Sequence, residues 1–163
     1  MYVTLWCKSY YSFLEGVSSP SLLMSYTREL RLPALALTDR DGVYGAVQAH
    51  VAACEHGIRL IIGSQVTIND GYHIVLLAQS RKRYANLCRL ITIGRRRFKK
   101  GKSAITWQNV CEGAQDAFAL RGGGDSAIEG AKSSQGCVWS LYDASGDRLY
   151  CIVTRPRRDD ERK

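Results

Sequence analysis

The chain has 163 residues, a formal net charge of +8, and 45% hydrophobic and 23% charged residues, a composition ordinary for one soluble globular domain with a real core. No apolar run approaches the ~20 residues of a membrane-spanning helix, and the N-terminus lacks the charged-then-apolar design of a signal peptide, so the expected location is the cytoplasm, away from membranes. Cys7, Cys54, Cys88, Cys111, Cys137 and Cys151 are scattered with no C-x-x-C pair, which speaks against a zinc knuckle or redox motif and for reduced, mostly buried thiols.

In chain order, Tyr2 to Trp6 suits a short strand. Ser19 as N-cap and Pro20 at the first helical position open a helix on which Leu22, Leu23, Tyr26 and Leu30 share a face. Pro33 separates it from Ala34-Leu35-Ala36-Leu37-Thr38, an apolar run of strand length. After a loop with Gly42, a second helix runs from Tyr44 to about His56, with Val47, Val51 and Cys54 at helical spacing and Gly57 as its stop. Leu60-Ile61-Ile62 reads as a strand buried on both faces, which completes a βαβ unit with parallel strands and a right-handed crossover. Asn69-Asp70-Gly71 signals a turn, followed by a strand from Tyr72 to Ala78. The helix from Ser80 to about Arg97 carries Tyr84, Leu87, Cys88 and Ile91 on one stripe.

Beyond Gly101 the pattern weakens to a short helix from Trp107 to Cys111, a strand at Phe118-Ala119-Leu120, and a loop at Gly122-Gly123-Gly124. Those glycines lack the Lys-[Ser/Thr] of a phosphate-binding loop and the spacing of a dinucleotide fingerprint. Gly130 to Gly136 is rich in small residues, and Arg148 to Val153 reads as a last strand. Strand–helix alternation of this kind is α/β, either a barrel or a doubly wound sheet. The positive charge is uneven: Arg95-Arg96-Arg97-Phe98-Lys99-Lys100-Gly101-Lys102 holds six cations and no acid. Arg95, Arg96, Arg97, Lys99, Lys100 and Lys102 are either a phosphate-contacting surface or a solvated helix end favoured by the helix dipole.

Leu5-Trp6-Cys7-Lys8-Ser9, continued by Tyr11-Ser12-Phe13-Leu14-Glu15-Gly16, resembles the opening of the PHP (polymerase and histidinol phosphatase) domain of bacterial C-family DNA polymerases, close to L-H-x-H-S-x-[YF]-S-x-L-[DE]-G. Pro33 to Asp39 is similar to the second motif, which normally continues T-D-H. Gly57 to Gln65 is similar to the third, which ends I-I-G-x-E, and His73 to Ala78 to the fourth. Gly94-Arg95-Arg96-Arg97, Gly146-Asp147-Arg148-Leu149-Tyr150 and Thr154-Arg155-Pro156 resemble the error-prone branch, tied to damage-induced translesion synthesis. The resemblance implies a partial PHP-type distorted (βα) barrel with mainly parallel strands. Residues 1–154 would be the N-terminal part of a PHP domain and 155–163 a charged tail; the later strands, with a D-V-H-type motif, would lie beyond Lys163, and the polymerase palm is absent.

Metal-binding members of the family use Zn, Mn or Mg, and here most of the ligand positions are changed. Trp6 and Lys8 stand for the histidine pair, Arg40 for the T-D-H histidine, Gln65 for the glutamate and Pro156 for a late histidine, which leaves Asp39 and His73 as remnants. In barrels of parallel strands the site lies at the carboxyl strand ends, where these residues are expected to converge. Two of the replacements are cationic, so no metal, cofactor or catalytic residue is expected. Asp39 is expected to pair with Lys8 or Arg40, and His73 to be a hydrogen-bonded core histidine. The implied function is a catalytically degenerate scaffold within an error-prone DNA polymerase, a DNA-directed nucleotidyltransferase of replication and repair; the chain alone would be inactive. Its partners would be the rest of that polymerase, other replication or repair proteins, and DNA. The alternatives are a metal-dependent phosphoesterase or 3′–5′ exonuclease, and a stand-alone basic nucleic-acid-binding remnant.

Overall fold

The computed structural model describes residues 2–97, 105–113, 118–122, 142–143 and 148–152. Six strands form one sheet in sequence order, with β1 at Thr4–Cys7, β2 at Ala34–Leu37, β3 at Arg59–Thr67, β4 at His73–Ala78, β5 at Phe118–Gly122 and β6 at Leu149–Ile152. The pairs β1–β2, β2–β3 and β5–β6 are parallel, while β4 runs antiparallel to both β3 and β5. The sheet is a curled half-barrel, the mainly parallel α/β architecture expected. Its helices are α1 (Pro20–Glu29), α2 (Ala46–His56), α3 (Arg81–Arg96) and α4 (Trp107–Gly113).

Local chemistry sets the helix ends. Ser19 Oγ accepts from Leu22 N at 3.1 Å with Pro20 opening α1, and Ser80 Oγ accepts from Arg83 N at 3.3 Å at the start of α3. Gly57 closes α2 in the left-handed region with φ 66°, a conformation that glycine adopts without steric penalty.

Strand alternation sorts the core into two faces. On the helical face, Leu35 and Leu37 pack with Met24, Ala49, Ala52 and Ala53 of α1 and α2, and Val66, Ile74 and Leu76 pack with Leu87, Leu90, Ile91 and Val110 of α3 and α4. On the other, inner face, Ala36, Val75, Leu77 and Leu120 form a smaller cluster with Ile61 against it.

Two expected apolar stripes point outward instead. Leu22 and Tyr26 of α1 and its C-cap Leu30 are 43%, 48% and 68% exposed, with only Leu23 of that stripe packed against the core, and Val47 and Val51 of α2 are 75% and 52% exposed. The buried faces are Pro20, Met24 and Thr27 on α1 and Ala46, Ala49, Ala52 and Ala53 on α2, because small alanines let the two helices approach closely. Strand β3 is longer than the three residues expected and its first half is not fully buried. Cys54 is exposed and Cys7 and Cys88 half-buried, so these thiols are less enclosed than expected. Pro156, Lys99, Lys100, Lys102, Gly123, Gly124, the Gly130–Gly136 stretch, Cys137 and the 155–163 tail lie outside the described residues.

Candidate functional site

Register determines which side chains meet. Gln65 pairs with Val75, and Thr67 with His73, so Gln65 and His73 share the inner face with Val75 and Leu77. Arg40 forms a parallel bridge with Gln65 and joins that face. Because β4 is antiparallel to β3, its first residue, His73, lies at the same end of the sheet as the carboxyl ends of β1, β2 and β3. On β1, Cys7 packs into the helical core, which turns its neighbour Trp6 inward.

Four of the positions read as replaced ligands, Trp6, Lys8, Arg40 and Gln65, therefore converge, bonded to one another or through a shared partner, while Pro156 lies outside the described residues. Trp6 Nε1 donates to Gln65 Oε1 at 3.0 Å. Lys8 Nζ lies 5.2 Å from the Trp6 ring centroid, within cation–π range. Glu15 then joins the two cations: one carboxylate oxygen pairs with Lys8, and the other accepts from Arg40 Nη1 at 2.6 Å. Partial burial works against the Glu15 charge, yet the hydrogen bonds and charges of Lys8 and Arg40 hold its carboxyl below its ordinary value. Glu15 was not among the expected site residues; the unmatched pair of cations at Lys8 and Arg40 was the signal that a carboxylate had to be near.

Asp39 is placed differently from expectation. It pairs with neither Lys8 nor Arg40. Its Oδ1 accepts from Ser9 N and Ser12 Oγ, both at 2.7 Å, and its Oδ2 accepts from Ser9 Oγ at 2.8 Å. Asp39 and both serines are at most 1% exposed. The cause is alternation: Arg40 faces inward, so Asp39 turns the other way, beneath the 9–12 loop, whose donors already fill its carboxylate. Ser12 Oγ also accepts from Arg40 N at 3.0 Å, and Asp39 O accepts from Ser64 Oγ at 2.9 Å. Asp39 thus ties the loop after β1 to the end of β2.

His73 also departs from expectation, since its buried Nδ1 has no hydrogen-bond partner among the described residues. Burial, then the Arg40 charge, pushes its imidazole below the ordinary value, with Lys8 acting the same way and Asp41 and Glu15 opposing. Burial and the Asp39 charge push the Cys7 thiol up, which keeps it protonated and a poor nucleophile.

The model of the PHP domain family matches residues 5–149 of this chain. The chain belongs to the PHP domain family. It is 38% identical over 170 residues to an error-prone DNA polymerase of Anaeromyxobacter dehalogenans (strain 2CP-1 / ATCC BAA-258), covering 96% of this chain and 14% of the relative. It is 44% identical over 126 residues to an error-prone DNA polymerase of Bordetella parapertussis, covering 74% and 12%. The chain thus spans only a small part of the curated relatives it matches. Among solved structures, one from Bifidobacterium adolescentis assigned as a metal-dependent phosphoesterase superposes with TM-score 0.68 at 13% identity, covering 90% of this chain and 76% of the other. An amidohydrolase from Chromobacterium violaceum gives 0.59 at 15%, covering 91% and 75%.

Metal centres of this family's phosphoesterases call for imidazoles and carboxylates. The inner face of this PHP domain instead presents an indole N–H, an ammonium, a guanidinium and a neutral amide; among the described residues the Glu15 carboxylate is already shared by two cations and the Asp41 carboxylate is held by Thr67. Among the described residues no three His, Cys, Asp or Glu side chains are grouped to hold an ion. Among the described residues, these donors do not fit a divalent metal.

The basic run is split by the helix that carries it. Half-buried Arg95 donates from Nε and Nη2 to Asp41 O at 3.2 and 2.9 Å, bracing the loop after β2, while Asp41 itself accepts from Thr67 N and Thr67 Oγ1 at 2.7 Å. Arg97 Nη1 donates to Asn109 Oδ1 of α4 at 2.6 Å. Arg96 is exposed. Among the described residues no helix is long and apolar enough to cross a membrane.

Proposed function

We propose that this chain is a PHP element of an error-prone DNA polymerase in which a side-chain network has taken the place of the metal centre, leaving a scaffold rather than a phosphoesterase. The observation that carries this is the convergence of Trp6, Lys8, Arg40 and Gln65 on one face, bonded to one another or through Glu15. Two cations where dications would sit oppose metal entry by direct repulsion, and a guanidinium cannot shed its proton to become a ligand. The name of the relatives, error-prone DNA polymerase, supports a place in DNA synthesis; the role proposed here is in cytoplasmic DNA replication and damage-induced translesion synthesis, with nucleotidyl transfer performed by the other domains of such a polymerase.

Thermal unfolding of the chain with and without millimolar Mn²⁺ or Zn²⁺ tests this reading. A ligand stabilises only by binding the native state, so the expected result is an unchanged Tm and no hydrolysis of a phosphodiester substrate. A Tm that climbs with metal concentration, accompanied by hydrolysis, would overturn the scaffold reading in favour of a phosphoesterase or exonuclease.

A further inference from the structure

We infer that the last two turns of α3 form a binding site for the phosphodiester backbone of nucleic acid. A cavity of about 640 Å³ is lined there by Arg89, Thr92, Ile93, Arg96 and Arg97. Among the described residues the lining contains three guanidinium groups and no acid. Arg89 and Arg96 are exposed and have no hydrogen bond or ion pair among the described residues. Arg97 is held by Asn109 of α4 at 2.6 Å, which orients one wall, and Arg95 faces away toward Asp41. The site is therefore a selection from the basic run plus Arg89, which lies outside it.

The spacing favours an extended ligand. Arg89 and Arg96 are seven residues apart on one helical face, roughly 10 Å along the axis. Their long side chains can reach separate phosphates of one strand, whereas a compact anion would call for cations gathered around one point. The Thr92 hydroxyl is already bonded to the Cys88 carbonyl at 2.8 Å, and among the described residues no amide or carboxylate lines the cavity to read a base edge, so binding is by charge and independent of sequence. This surface is separate from the inner-face network, so a failure in the metal titration and a failure here are distinguishable.

The test is fluorescence anisotropy with the 163-residue chain and labelled 20-nucleotide single-stranded and duplex DNA of unrelated sequences, at several salt concentrations. The expected result is salt-dependent binding. Arg89→Ala with Arg96→Ala should weaken it about tenfold or more at low salt and reduce the log–log salt slope by about two. A matched control, Arg81→Ala with Lys82→Ala at the opposite end of α3, should retain wild-type affinity. Arg89→Lys with Arg96→Lys should keep most of the binding, which separates lost charge from lost fold. Absence of binding at low salt, or equal weakening in the cavity and control variants, would overturn the proposal. So would inorganic triphosphate binding as tightly as the DNA and with the same dependence on Arg89 and Arg96, because that describes a compact-anion site.

Discussion

At the scale of single residues, Asp39 and Arg40 are neighbours in sequence with opposite structural weight. Asp39→Ala leaves a backbone N–H and two hydroxyls of the buried Ser9 and Ser12 without their acceptor, and unsatisfied buried donors facing a lost charged partner should destabilise by on the order of 3 kcal/mol or more. Arg40→Ala removes a surface pair whose arginine side chain is 45% exposed, which is worth ~0–1 kcal/mol. Chemical denaturation of both variants checks this, and equal losses would contradict it. His73 supplies a pH signature. Its native imidazole titrates below its ordinary value, so between that depressed value and about 6.5 the unfolded chain binds more protons. Stability should therefore fall as pH drops through about 6.5, and His73→Gln should flatten the Tm profile between pH 7.5 and 5.5. Glu15, held low, adds a second loss only as pH falls below its ordinary value of 4.5. The importance of Asp39 and His73 was legible in the sequence, but their partners were not, because the face each side chain takes depends on a pairing register made by distant strands.

The elements show where periodicity informs and where it misleads. The caps at Ser19 and Gly57 were readable because the chemistry is local, whereas Ser80, expected inside its helix, proves to be the N-cap. The buried stripe of α3 was readable in part: of the expected Tyr84, Leu87, Cys88 and Ile91, Leu87 and Ile91 are buried and the other two half-buried, while the buried Leu90 was missed. On α2 two stripes share the same period, and the bulkier Val47 and Val51 attract the eye while Ala46, Ala49, Ala52 and Ala53 do the packing. Replacing Val47 by Glu and Val51 by Lys should accordingly change stability by no more than ~0.5 kcal/mol, as for ordinary surface sites. A loss of several kcal/mol would place these side chains in a core. The loop between β1 and α1 is the opposite case. A Cβ on Gly16 would lie 2.1 Å from Ser9 O, a backbone atom that cannot swing aside, so Gly16→Ala should destabilise by about 1–3 kcal/mol, as overpacking does, and loosen the loop that carries Glu15.

For the whole molecule, the hairpin between β3 and β4 decides the site. The Asn69-Asp70-Gly71 turn reverses the chain, and without that reversal His73 would begin its strand at the far end of the sheet. The turn was legible, whereas its effect on the site required knowing that β4 pairs back onto β3. The outward apolar residues of α1 and α2 carry a consequence at the same scale, because exposed apolar surface of this extent favours association. Sedimentation velocity of the chain should show an apparent mass that rises with concentration, and the Val47→Glu, Val51→Lys variant should reduce that rise.

The carboxylate of Glu15, clasped from both sides, also constrains how this protein can change. Restoring histidine at position 40 alone would leave Lys8 to hold the acid and Trp6 to hold Gln65; restoring it at position 8 alone would leave the guanidinium of Arg40 in the way. No single step yields an ion-binding set, and each step discards a contact now made. On the proposed scaffold reading, the network acts as a latch: an ion-binding set would require several separate stretches of chain to be altered together.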